Sequence, residues 1–141
     1  FFCGPPHRLY GRKDIDASEL RNEDAVSFQT DELDGPLYAV AQLRRQLGMR
    51  ADLKGLSSNL PEVRRMIVAN IGIGALPVHV ARKDVQSGQL WQVPPYKSLP
   101  AVDIHILTNP RRSMNRAERA LLEMLNAELD AVPLSERTYG A

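Results

Sequence analysis

The segment Ser57–Ala81, SSNLPEVRRMIVANIGIGALPVHVA, places a capped amphipathic helix directly before a glycine-spaced apolar run. Asn59 and Glu62 have the spacing of a capping box, and Pro61 fits the first turn of a helix. The apolar residues recur at the helical period and predict an inward face made of Val63, Met66, Ile67 and Ile71. The charged residues predict a face toward water made of Glu62, Arg64 and Arg65.

The run Ile71–Leu76 is too short and too apolar for another surface helix, so it predicts a buried strand. Its glycines allow a neighbouring element to approach closely. A dinucleotide-binding fingerprint would need a third glycine where Pro77 stands, and its glycines would open a helix instead of following one. We therefore interpret the glycines as a packing feature.

On both sides of this segment, predicted strands alternate with predicted helices, which indicates an α/β fold. Strands are expected at residues 1–3, 25–29, 51–57, 90–93 and 102–108. The Asp16–Glu19 capping box predicts one short helical turn before Leu20. Helices are expected from Pro36 to Gly48, from Pro77 to Gly88, and from the Asn115–Glu118 capping box to Pro133. The last helix has an apolar face made of Ala117, Ala120, Leu121, Met124, Leu125 and Leu129.

The composition excludes several classes of protein. A chain of 141 residues with a formal net charge of +1 lacks the basic surface typical of nucleic-acid binding. A single cysteine allows no intrachain disulfide and argues against a zinc site. No apolar run is long enough to span a membrane, and no signal peptide is visible. The sequence begins at Phe1 without an initiator methionine, so we expect it to be part of a longer protein.

The residues that could perform catalysis form no recognised pattern. The three histidines, His7, His79 and His105, are isolated from one another and lack metal-ligand spacing. No serine stands in a Gly-x-Ser-x-Gly turn. We expect no catalytic residues, no metal, no cofactor and no enzymatic activity.

Two predicted loops, 29–35 and 57–59, each connect the end of a strand to the start of a helix. In a parallel sheet both loops would open at the same edge, where ligands bind in open α/β folds. Helix N–H groups and side-chain hydroxyls or amides suit a carboxylate or another small polar group, although the acidic residues oppose a strongly charged anion. The candidate binding residues are Gln29, Thr30, Asp31, Asp34, Ser57, Ser58 and Asn59. Helix capping alone would account for residues 57–59 equally well.

Four segments occur in an order that resembles the C-terminal part of LysR-type transcriptional regulators. They are FFCGPPHRLYGR (Phe1–Arg12), EVRRMIVANIGIGALPVHVA (Glu62–Ala81), GQLWQVPPY (Gly88–Tyr96), and DIHILTNPRR (Asp103–Arg112) with the AERALLEML helix after it. The resemblance extends from Phe1 to Leu129.

The resemblance implies a fragment of a two-lobed effector domain, similar to type 2 periplasmic binding proteins, with a mixed sheet and flanking helices. Residues 1–95 would form the second lobe, residues 96–133 a strand and helix returning to the first lobe, and residues 134–141 a tail. A small-molecule effector would bind in a cleft between the lobes. The parent protein would be a cytoplasmic bacterial transcription factor that contacts DNA through an N-terminal domain outside this chain.

The resemblance also implies that the last helix would normally pack on first-lobe elements outside this chain. Its apolar face would then be exposed, so we expect a homo-oligomer and no membrane contact. Two other functions use similar scaffolds, namely a solute-binding protein and a small-molecule enzyme. A third interpretation is a dimerisation module whose pocket no longer senses a ligand.

Overall fold

The computed structural model describes residues 1–29, 38–97, 106–133 and 136. The strands are β1 (Phe2–Cys3), β2 (Ala25–Phe28), β3 (Leu53–Ser57), β4 (Ile73–Gly74) and β5 (Trp91–Gln92). The helices are α1 (Tyr38–Gln46), α2 (Leu60–Val68), α3 (Val78–Gln86) and α4 (Arg116–Ala131), and a 3₁₀ turn spans Ala17–Leu20. The predicted α/β fold with a mixed sheet and flanking helices is confirmed.

The five strands form one sheet in the order β3-β2-β4-β1-β5. β2 is parallel to both β3 and β4, whereas β1 is antiparallel to β4 and β5. The Gly-Ile-Gly run therefore supplies a central strand. Only Ile73 and Gly74 have strand geometry, so the predicted strand over residues 71–76 is shorter than expected.

Both faces of the sheet are covered, as expected for parallel strands joined through helices. On one face, residues of α2 and α3 pack around the fully buried Val63 and Ile67. On the other face, residues of α1 and of the segment between β1 and β2 pack around Leu9, Leu20 and Ile73. Successive strand residues alternate between the two cores, as Ala25 and Val26 do.

Glycine is required at Gly72 and Gly74 because other parts of the chain approach both residues closely. At Gly74 the neighbouring element is α2. A Cβ atom added at Gly74 would lie 2.9 Å from Ile67 Cδ1 and 3.0 Å from Val26 Cγ2. A Cβ atom at Gly72 would lie 2.7 Å from the carbonyl oxygen of Asp24 in the chain leading into β2. The prediction that these glycines permit close packing is confirmed.

The predicted inward face of α2 is wrong at one position. Ile71 is 44% exposed, because α2 ends at Val68 and the chain then reverses. Asn70 has a positive φ of 60°. The N–H groups of Asn70 and Ile71 donate to the carbonyl groups of Ile67 and Met66, which is the Schellman pattern.

The chain divides into two compact units, Phe1–Val102 and Asp103–Gly140. The second unit contains α4, whose N-terminal capping box between Asn115 and Glu118 forms as predicted. No residue of α4 is buried, and Leu121 and Met124 are 58% and 66% exposed. The predicted strand over residues 102–108 is not observed at Ile106, Leu107 and Thr108, and its other residues lie outside the described part of the chain.

Candidate functional site

The carboxyl ends of β2, β3 and β4 meet at one edge of the sheet, because these three strands are parallel. Phe28 is in register with Ser57, and the backbone N–H of Gln29 donates to the carbonyl oxygen of Ser57 at 3.0 Å. The structure therefore brings the start of the first predicted loop against the start of the second. This is the edge at which open α/β sheets bind ligands.

Sequence reasoning missed a third connection at this edge. Ala75–Pro77 joins the carboxyl end of β4 to the first residue of α3. The signal that could have found it is the Pro77 that precedes the helix. Its position beside the other two loops depends on β4 pairing with β2, which local sequence patterns do not encode.

The polar side chains of residues 57–59 are arranged differently from the prediction. Asn59 is the N-cap residue of α2, but its side chain makes no capping hydrogen bond, so the predicted capping box with Glu62 is wrong. Glu62 instead forms an ion pair with Arg65. The hydroxyl oxygen of Ser57 accepts a hydrogen bond from the Asn59 N–H at 3.0 Å.

The side chains of Gln29, Ser58 and Asn59 are exposed at this edge. Three other predicted binding residues, Thr30, Asp31 and Asp34, lie outside the described part of the chain, as does the predicted helix start at Pro36. The exposed side chains described at this edge therefore offer a ligand the hydroxyl of Ser58 and the amides of Gln29 and Asn59.

The first turn of α2 offers fewer backbone donors than a typical helix start. Pro61 has no N–H group, and the N–H groups of Glu62 and Val63 both donate to the carbonyl oxygen of Asn59. The partial positive charge at the N-termini of α2 and α3 still favours electron-rich groups at this edge. Hydrogen bonding from side chains, together with helix dipoles, is the chemistry that the edge supports.

A partly buried ion pair between Arg64 and Asp84 connects α2 to α3 behind this edge. Asp84 on α3 is 8% exposed and accepts two hydrogen bonds from Arg64, at 2.5 Å from Nε and 2.6 Å from Nη2. Arg64 also donates to Gln89 Oε1 at 2.8 Å. The Arg64 side chain is 32% exposed, so the prediction that it faces water holds only in part, and its partner lies twenty residues away in sequence.

Replacing Asp84 with asparagine is expected to lower the free energy of unfolding by about 1.5–3 kcal/mol at neutral pH, because Arg64 would lose its charged acceptor. The hydrogen bonds from Arg64 hold the pKa of Asp84 below its ordinary value of 3.8. The contribution of the pair is therefore complete above pH 3.8 and disappears as the pH falls through the lower folded-state pKa. Urea denaturation of both proteins across this pH range measures the difference.

The matched control is Asp52→Asn. The Asp52 side chain is 84% exposed, and its contact with Arg50 is long, at 3.9 Å between Oδ2 and Nη2. This variant is expected to unfold within about 0.5 kcal/mol of the original protein. A stability difference for Asp84→Asn that stays constant as the pH falls below 3.8 would contradict the role given to the ionised pair.

The potential nucleophiles and bases do not form a catalytic arrangement among the described residues. Cys3 is fully buried, and burial raises the pKa of its thiol to about 11, so it stays protonated. His7 Nε2 lies 3.2 Å from Glu23, while its Nδ1 accepts a hydrogen bond from the Leu9 N–H. His79 is exposed, and His105 lies outside the described residues.

Within residues 1–29, 38–97, 106–133 and 136, no group of three histidine, cysteine or acidic side chains could hold a metal ion. No helix of this described part is long and apolar enough to cross a membrane.

The chain matches the family described as LysR substrate binding domain over residues 1–130. Its structure is similar to the regulatory domain of HypT from Salmonella typhimurium, bound to a bromide ion, with a TM-score of 0.62 and 13% identity. The apo form of the same domain gives a TM-score of 0.58 and 14% identity.

In both comparisons the chain is covered to 93% and spans 60% of the solved domain. A search of curated proteins gives no match. The family match over nearly the whole chain, together with the shared fold, confirms the resemblance inferred from the sequence. The chain belongs to the LysR substrate binding domain family.

Proposed function

We propose that this chain binds a small-molecule effector at the sheet edge formed by the carboxyl ends of β2 and β3. The observation that carries the proposal is the contact between Gln29 and Ser57, which joins the two predicted binding loops at that edge. The proposed contact residues remain Gln29, Thr30, Asp31, Asp34, Ser57, Ser58 and Asn59.

The chemistry of the edge favours a small polar ligand or one with a single carboxylate. Ser58 and Asn59 supply a hydroxyl and an amide, and neither residues 57–59 nor residues 75–77 include a lysine or arginine. A dianion such as phosphate would therefore lack a cationic partner there. The HypT domain of similar fold is described as bound to bromide, which is a small monovalent anion.

The proposal includes the division into lobes. Residues 1–95 would supply the second lobe, residues 96–133 the return to the first lobe, and residues 134–141 a tail. The effector would lie in a cleft completed by first-lobe elements outside this chain, and DNA would be bound by an N-terminal domain of a cytoplasmic parent protein. Membership of the LysR substrate binding domain family supports this organisation. The absence of enzymatic activity stays a prediction.

The exposed apolar face of α4 supports a further part of the proposal, which is self-association. Leu121, Leu125 and Leu129 are between 39% and 58% exposed along one side of the helix. Leu121 and Leu125, with residues around Ile106, line a groove of about 280 Å³ within the second unit. A second copy of the chain would remove this apolar surface from water.

Nuclear magnetic resonance of the ¹⁵N-labelled chain tests both parts of the proposal. Titration with sodium acetate and with its neutral isostere acetamide is expected to shift the Ser58 and Asn59 amide signals saturably with at least one probe. Saturation by acetate alone would assign the ligand class to carboxylates. Relaxation rates are expected to report a particle larger than the 15.7 kDa monomer.

The variant Thr30→Ala/Ser58→Ala is expected to weaken probe binding about two- to tenfold, which corresponds to one or two lost hydrogen bonds. Ser113→Ala is the matched control, since Ser113 is an exposed serine in the second unit. Binding that is unchanged in the double variant would contradict the proposed site. Monomer relaxation rates would contradict self-association.

A further inference from the structure

A shallow cleft, open to solvent, lies beside β5 at the end of the sheet opposite β3. Its cavity volume is about 270 Å³, and it is lined by Arg12, Lys13, Val85, Trp91, Gln92 and Tyr96. Gln29, Ser57, Ser58 and Asn59, the proposed effector residues that the structure describes, do not line it. The lining residues named here belong to the first unit of the chain.

One wall of the cleft is an aromatic side chain that is held in place. The indole Nε1–H of Trp91 donates to the carbonyl oxygen of Arg12 at 2.7 Å. The Tyr10 ring lies 5.7 Å from the Trp91 ring, tilted by 52°, and its hydroxyl donates to the Gly88 carbonyl at 2.5 Å. Because these contacts fix the indole, little side-chain entropy remains to be lost when a ligand packs against it.

The two cations at the cleft, Arg12 and Lys13, differ in whether they already pair with an acidic residue. Arg12 forms a two-point ion pair with Glu19, at 2.6 Å and 3.0 Å, and its Nε lies 3.8 Å from the exposed Asp14. Lys13 is exposed and forms no ion pair within the part of the chain that the structure describes. Lys13 is therefore the cation available to a ligand.

We propose that this cleft binds a planar aromatic ligand that carries one carboxylate. The ring would pack against Trp91 and Tyr96, and the carboxylate would lie at Lys13. Ring contacts with a fixed aromatic side chain and a single charge pair are both satisfied by such a monoacid. A volume of about 270 Å³ lies just below the usual range of ligand pockets, which suits a single ring.

The single tryptophan provides a direct readout, because Trp91 gives one indole N–H signal in a ¹⁵N spectrum. Titration with sodium phenylacetate is expected to shift that signal saturably. Cyclohexylacetate lacks the aromatic ring and phenylacetamide lacks the charge, so each is expected to bind more weakly than phenylacetate. Lys13→Ala is expected to weaken phenylacetate binding about two- to fivefold and to leave phenylacetamide binding unchanged.

Lys54→Ala is the matched control, since Lys54 is an exposed lysine on β3 at the other end of the sheet. It is expected to leave phenylacetate binding unchanged. No saturable shift of the indole signal, or equal phenylacetate affinity in Lys13→Ala and the original protein, would overturn the proposal. Shifts confined to the Ser58 and Asn59 amides would overturn it as well, because they would place the aromatic acid at the effector edge.

Discussion

Replacing Ile67 with alanine is expected to lower the free energy of unfolding by about 2–5 kcal/mol. Ile67 is fully buried on the inner face of α2, and its side chain fills the space above Gly74 in the central strand. The truncation would remove buried apolar surface and leave a cavity between helix and sheet. Urea denaturation followed by circular dichroism measures the effect.

Ile71→Ala is the matched control, because it removes the same atoms from a residue that is 44% exposed. It is expected to cost about 1 kcal/mol or less. The comparison also tests where α2 ends. If the helix continued to Ile71, as the periodicity predicts, both isoleucines would face inward and both variants would lose similar stability. Equal losses in the two variants would contradict the observed burial.

Replacing Gly72 with alanine is expected to lower the free energy of unfolding by about 3 kcal/mol, at the upper end of overpacking effects. The added Cβ would lie 2.7 Å from the carbonyl oxygen and 2.9 Å from the carbonyl carbon of Asp24. Both contacts are with backbone, so rotation of a side chain cannot relieve them. The chain leading into β2 would have to move away from β4. Thermal unfolding and urea denaturation measure the loss.

Gly55→Ala is the same substitution at a position where the added Cβ would meet a flexible side chain instead of backbone. The nearest atom to its added Cβ is the sulfur of Met66, at the end of a half-buried and unbranched side chain. Methionine adapts readily to such a change, so we expect a loss of about 1 kcal/mol or less. A larger loss for Gly55→Ala than for Gly72→Ala would show that backbone proximity does not determine the requirement for glycine.

Local signals predicted the elements of this fold because those signals act over three or four residues. The capping boxes at Asp16–Glu19 and Asn115–Glu118 both form. The third one, at Asn59–Glu62, does not form: the Glu62 carboxylate pairs with Arg65, and the Asn59 N–H donates to Ser57 Oγ. A spacing rule cannot choose between two partners that are both within reach of one side chain.

Contacts between distant residues account for what the sequence did not predict. Arg64 has the helical position of a solvent-facing residue, yet it pairs with Asp84 on the next helix. The prediction that loops 29–35 and 57–59 open at the same edge rests on a parallel sheet, and β2 and β3 are parallel. The third connection at that edge depends on β4 lying beside β2, and strand order is a property of the whole chain.

The strand order has a consequence for how this protein is made. Among the five described strands β1 is synthesised first, but its two neighbours in the sheet are β4 and β5, which are synthesised last. Phe2 is in register with both Gly74 and Gln92. Both edges of β1 therefore lack their native partners until β4 is synthesised, and one edge lacks its partner until β5 follows. During translation β1 must wait for the synthesis of residue 92 before both of its partner strands are present.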